Sequence, residues 1–186
     1  MSKFILGKKL GMTTIYGDAK EAHHVTLVEC GAQVSLLRTK EKDGYNAVQV
    51  EMQKTKKRKS TCEFRVEATE LKIGDKLAVD MFEIGDKVKV SGITKAKGFQ
   101  GGVKRHGFGG SLKTHGHKHD LRAPGAIGAT TPQHVVKGKR MAGRMGGVRA
   151  TGTNLKVVYI DKAKNIIGLK GAVPGVHGRV VEIFSK

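Results

Sequence analysis

The chain has 186 residues, no Trp, and 35 Lys and Arg against 16 Asp and Glu, for a formal net charge of +19. A charge of that size favours a polyanionic partner, nucleic acid above all, and costs self-repulsion without one. No run approaches the roughly 20 apolar residues of a membrane span, no basic amphipathic helix suited to a lipid surface is evident, and the apolar stretch at Phe4-Ile5-Leu6 is too short for a secretory signal. A cytosolic protein is therefore expected, with Cys30 and Cys62, which lack a C-x-x-C spacing, as reduced thiols.

In chain order, residues 25–30 and 34–37 are short β-rich runs. Residues 45–52 alternate, with Val48, Val50 and Met52 on one face and Ala47, Gln49 and Glu51 on the other. Asp43-Gly44 between these runs signals a hairpin, because Gly accepts the positive φ of a tight turn. The basic run Lys54-Thr55-Lys56-Lys57-Arg58-Lys59 follows, either a solvated tip or a peripheral phosphate contact. Gly74-Asp75 and Gly85-Asp86 punctuate strands around 77–82 and 88–93. Further strands are expected at 155–160, 166–169 and 180–184. Many short strands at this spacing predict a mainly β fold, a small closed barrel or a sandwich, with weak helix signal throughout.

Between these flanks the composition changes. Residues 95–149 hold 12 basic residues and one acid, Asp120, together with 13 of the 26 glycines and 5 of the 8 histidines. Residues 1–94 hold 17 basic and 13 acidic residues, and residues 150–186 hold 6 and 2. The middle segment shows neither the strand nor the helix period. Its apolar residues, such as Phe99, Phe108, Leu112 and Met141, are scattered singly. They cannot bury enough surface to offset the ordering cost, roughly 1–2 kcal/mol per residue. The economical architecture is a discontinuous β body, 1–94 with 150–186, from which 95–149 departs as a long irregular basic extension ordered against RNA.

Within that extension, Lys and Arg neutralise phosphates and Gly lets the backbone approach them closely. The densest stretch is Lys137-Gly138-Lys139-Arg140-Met141-Ala142-Gly143-Arg144. Candidate RNA contacts are Lys95, Lys97, Lys104, Arg105, Lys113, Lys118, Arg122, Lys137, Lys139, Arg140, Arg144 and Arg149, with Lys8 and Lys9 near the N-terminus. His115, His117 and His119 look at first like metal ligands. No Cys is near and Lys118 would repel a cation, so imidazoles stacking on bases or donating to phosphates and 2′-hydroxyls account for them better. Arg122-Ala123-Pro124-Gly125 reads as a turn that frees Arg122 to reach phosphate, and Thr131-Pro132 as a second bend. No phosphate loop, H-E-x-x-H or G-x-S-x-G occurs. With one carboxylate among the cations, acid–base chemistry has no pair to use. Neither an enzyme, a cofactor, a metal site nor a small-molecule substrate is expected.

Five stretches resemble one known family. Phe4-Ile5-Leu6-Gly7-Lys8-Lys9-Leu10-Gly11-Met12-Thr13 is similar to the opening of the ribosomal protein L-three family. Thr94-Lys95-Ala96-Lys97-Gly98-Phe99-Gln100-Gly101 resembles its strand-to-loop passage. Residues 111–128, with Thr114-His115-Gly116-His117 and Arg122-Ala123-Pro124-Gly125, resemble its extended loop. Residues 137–146 resemble its most distinctive stretch, and Lys170-Gly171-Ala172-Val173-Pro174-Gly175 a C-terminal turn. The motifs cover nearly the whole chain in order, and the short length fits the bacterial type. The resemblance implies a translation-protein-like closed β-barrel and a central extension running through 23S-type rRNA toward the peptidyl transferase centre. Its tip would fall around residues 126–136. It further implies a role in early subunit assembly, with L-fourteen-type and L-nineteen-type proteins as neighbours. Two departures stand out. The region after Gln53 is shorter than in most bacterial members, which reduces a peripheral contact there. Ala129-Thr130-Thr131 occupies a stretch where many members carry a Gln, methylated in some bacteria, so that modification is not transferred. The alternative is a free nucleic-acid-binding module outside the ribosome; of the usual OB-fold type, it would need aromatics clustered on one strand.

Overall fold

The computed structural model describes residues 3–17, 21–55, 57–66 and 70–185. The chain divides into two compact units, Met1–Thr94 with Arg149–Lys186, and Lys95–Val148. In chain order the strands are β1 (Lys3–Tyr16), β2 (Ala22–Cys30), β3 (Ala32–Arg38), β4 (Ala47–Thr55), β5 (Arg58–Arg65), β6 (Lys76–Leu77), β7 (Lys87–Ile93), β8 (Phe99–Gln100), β9 (Gly143–Arg144), β10 (Arg149–Asp161), β11 (Ile166–Lys170) and β12 (Val180–Ser185). Among the described residues, two short helices, α1 (Lys40–Asp43) and α2 (Gly102–His106), and a 3-10 turn at Val79–Met81 complete a mainly β molecule.

In the first unit six strands pair antiparallel in the order β1-β12-β7-β10-β11-β2, and β2 pairs back onto β1, so the pairing closes into a ring. Val28, Val90, Val157, Ile167, Leu169, Val181 and Ile183, drawn from five of these strands, are fully buried. A second sheet, β5-β4-β3-β6, packs against the ring through stacked rings of Phe4 and Phe64, 4.9 Å between centroids. Their hydrophobic residues form one continuous core.

Local chemistry explains where the elements begin and end. The β3–β4 connection is an antiparallel hairpin, but Asp43-Gly44 is not its whole turn. Residues 40–43 form α1, and Gly44, at φ 81°, caps it by donating its N–H to the Lys40 carbonyl at 3.1 Å. Glycine suits that left-handed cap because it has no Cβ. Arg38 fastens the connection, its Nε 2.8 Å from Glu63 Oε2 and its Nη1 2.6 Å from Asp43 Oδ1. Hydrogen bonds from Tyr45 first and Arg38 second hold the Glu63 carboxyl below its ordinary range. The strand expected over 77–82 is a correction. Only Lys76 and Leu77 pair as a strand, and Val79 and Phe82 are buried from the 3-10 turn and its exit rather than from a ladder. The basic run after Gln53 is the β4–β5 hairpin tip; Lys56 in it lies outside the described residues.

Lys3 Nζ bonds Asp86 Oδ2 at 2.8 Å, and the Glu83 N–H donates to the same oxygen at 3.1 Å. The Lys3 bond, then the backbone bond, depresses the Asp86 pKa. A depressed carboxyl stabilises the fold above its unfolded pKa of about 4, and that contribution drains as pH falls through the folded value. Asp86→Asn is therefore expected to flatten the acid limb of stability against pH, measured by urea denaturation. An acid limb parallel to the wild type's would mean that this pair adds nothing. Burial pushes the Cys30 thiol up to about 12 and the Cys62 thiol up to about 11, so both remain protonated at neutral pH.

The second unit has little interior. β8 pairs with β9, Phe99 opposite Arg144 and Gln100 opposite Gly143. Beside this pair the Lys97 N–H donates to the Met145 carbonyl and the Met145 N–H to the Gly98 carbonyl, both at 2.9 Å. Those bonds join the two ends of the segment. Among its described residues only Gly102 is buried. Glycine is required there because a Cβ would press into the Phe108 ring at 2.9 Å.

Candidate nucleic-acid interface

In the second unit Lys95, Lys97, Lys104, Arg105, Lys113, His115, Lys118, His119, Arg122, Lys137, Lys139, Arg140 and Arg144 are exposed, and His117 is half-buried. Asp120, the one acid, is 2.9 Å from His117 Nδ1, which leaves the cations without a carboxylate of their own unit to pair with. His115 sits in the left-handed region at φ 60°, followed by Gly116 at φ 85°, so the imidazole-rich stretch is a tight bend rather than a strand. Among the described residues no three His, Cys, Asp or Glu side chains converge as metal ligands would.

Of the selected residues, Arg105 is engaged within the unit together with its neighbour His106. Arg105 Nη1 donates to the Met141 carbonyl at 2.6 Å, and His106 Nε2 lies 3.0 Å from the same oxygen. Together they tie α2 to the Lys137–Arg144 stretch. Gly143 leaves room for this guanidinium, since a Cβ there would meet Arg105 Nη1 at 2.6 Å and displace it. His106 was not selected from the sequence; its spacing to Met141 gives no local signal. Phe99, whose isolated place in the sequence gives no sign of a role, is 77% exposed in a run of cations. A large exposed ring among cations offers a face on which a base can stack.

The remaining selected residues belong to the first unit. Lys8 lies on β1, half-buried. Lys9 Nζ donates to the Val173 carbonyl at 2.7 Å and the Gly175 carbonyl at 3.1 Å, so its ammonium holds the turn that precedes β12. Lys9→Met is expected to lower stability by about 1–3 kcal/mol, the usual cost of removing charge-assisted bonds. Chemical denaturation checks this, and an unchanged midpoint would free Lys9 from a structural role. Arg149 begins β10 and pairs with Glu182.

The protein thus presents an exposed, glycine-rich, carboxylate-poor cationic surface, the chemistry of a structural binder of polyanions. Comparison with known proteins carries this further. The model of the family "Ribosomal protein L3" matches residues 19–166. The large ribosomal subunit protein uL3 of Herpetosiphon aurantiacus is 45% identical over 199 residues, covering 96% of this chain and 94% of that protein. Those of a Roseiflexus species and Natranaerobius thermophilus are 43% and 42% identical over 203 residues, each covering 98% of this chain and 97% and 96% of theirs. The chain belongs to the ribosomal protein L3 family. It is accordingly a structural, non-enzymatic component of the large ribosomal subunit, which in bacteria is cytoplasmic.

Proposed function

We propose that the chain binds 23S-type rRNA of the large subunit and aids its assembly, with residues 95–149 threading among phosphates and the β body as anchor. The six-stranded ring is then the closed barrel of the translation-protein type that the resemblance implies. The observation that carries this reading is the 95–148 unit, where nearly every cation is exposed and one acid is present. With so few apolar contacts of its own, the segment takes its final course against RNA. Residues 126–136 reach toward the peptidyl transferase centre, and the neighbours are L-fourteen-type and L-nineteen-type proteins. Arg144 is the strand partner of Phe99, which puts a cation and an aromatic residue at paired positions for phosphate contact and stacking.

The test is sedimentation of cell lysate through a high-salt sucrose gradient, with the chain located by mass spectrometry. Stoichiometric recovery in the large subunit after the wash is expected, because a threaded component resists salt that strips peripheral binders. Recovery in the soluble fractions would instead favour a free nucleic-acid-binding module.

A further inference from the structure

The β unit holds a second cluster of cations, which takes in Arg149 and, from the basic run at 54–59, Lys54. Between the β4–β5 hairpin and the ring strands β7, β10 and β12 lies a cavity of about 150 Å³. Its wall carries Lys54, Arg149, Arg179 and Glu182 together with the hydroxyls of Ser60 and Thr61. Strand register brings them there. Arg149 is opposite Ile93 across β10 and β7, and Glu182 is opposite Ser91 across β12 and β7. Ser60 and Thr61 stand on β5, and Lys54 is near the end of β4.

The charges do not cancel. Glu182 is taken up by Arg149, leaving Lys54 and Arg179 without a compensating carboxylate on the wall. Arg179 Nε is buried and has no hydrogen-bond partner among the described residues. A buried guanidinium N–H left unpaired costs free energy comparable to a lost hydrogen bond, so the fold itself does not satisfy this side chain. The cavity exceeds the room a single water needs several-fold, and two hydroxyls with two free cations form a donor set suited to a tetrahedral oxyanion.

We propose that this cavity is a phosphate-binding site, taking one backbone phosphate of RNA and fixing the β body independently of residues 95–148. The proposal rests on the rRNA-binding reading for the source of the phosphate, not for the site's chemistry.

Two titrations of the full chain test it. In the first, inorganic phosphate is added against chloride at matched ionic strength while backbone amide resonances are followed. Saturable shifts are expected at Ser60, Thr61, Cys62 and Ile93. Arg179→Gln should weaken them roughly tenfold, the worth of one charge-assisted bond. Lys54→Gln, whose side chain is exposed, provides the same reading should the Arg179 variant not fold. Shifts that are unsaturable, spread over the basic surface, or indifferent to both variants would overturn the site. So would saturation by an oligo-glutamate peptide but not by phosphate, which would assign the cavity to an acidic protein neighbour. In the second, large-subunit rRNA transcribed in vitro is bound at varied salt. Each variant should lower the log–log slope by about 0.7–0.9. A normal slope with absent phosphate shifts refutes the cavity and leaves the rRNA reading standing. Phosphate saturation without salt-sensitive rRNA binding keeps the cavity and refutes the rRNA reading.

Discussion

Replacing Lys137, Lys139, Arg140 and Arg144 together by Ala is expected to lower rRNA affinity about a thousandfold at 0.15 M salt and to reduce the log–log salt slope by about 3. All four side chains are exposed, so the substitution removes charge without opening a core. The magnitude follows from counterion release: each neutralised phosphate contributes about 0.7–0.9 to the slope, and four contacts compound. Filter binding of in vitro transcribed rRNA across a salt series measures both quantities. Lys162→Ala with Lys164→Ala, exposed in the turn between β10 and β11, serves as the charge control. If that pair lowers the slope as much per residue as the four-residue variant, net charge alone sets affinity, and the placement of contacts in 137–144 fails.

Gly146→Ala is the second large effect. Gly146 sits at φ 71°, and a Cβ added there would collide with the Lys95 carbonyl oxygen, a backbone atom that has no rotamer to move into. Positive φ alone costs a non-glycine residue about 1–3 kcal/mol. The collision forces the strand ends apart on top of that. The Lys97–Met145 and Met145–Gly98 bonds, at 2.9 Å each, are the first to go. The expected outcome is loss of hydrogen-exchange protection at the Lys97 and Met145 amides, with the β body unchanged. Gly116→Ala, at φ 85° with nothing within 4 Å of the added Cβ, isolates the conformational cost. Equal protection loss in the two variants would show that the collision contributes nothing.

Sequence pattern reveals strands where one face is wet. β4 shows this clearly: Val48, Val50 and Met52 are buried, and Gln49 and Glu51 between them are not. β1, the longest strand, went unrecognised because its buried part has no polar face. Phe4, Ile5 and Leu6 are all buried, Phe4 on Phe64, Leu6 against the cavity that Cys62 also lines. A strand covered on both sides shows no alternation. The register shift between Lys9 and Gly11 then breaks what pattern remains. The opposite error at 77–82 has a related cause: Val79 and Phe82 are apolar enough for a strand but are buried from a turn. For the candidate interface, composition is enough to find exposed cations, because nothing in the fold has to bring them together. The Arg105–Met141 bond spans 36 residues and the Lys9–Val173 bond 164. Contacts of that range leave no trace in local sequence.

β12 lies between β1 and β7 and hydrogen-bonds to both. Synthesis runs from the N-terminus, so β1 waits until residues 180–185 have been added before its second edge is covered. Pairings of such long sequence separation form slowly. Throughout that interval β1 and β7 present uncovered edges of the kind that recruit other chains. Residues 95–149, with their cations, are synthesised before the strand that closes the body. The most cationic part of the chain is thus made earlier than the strand that completes the ring of the β unit.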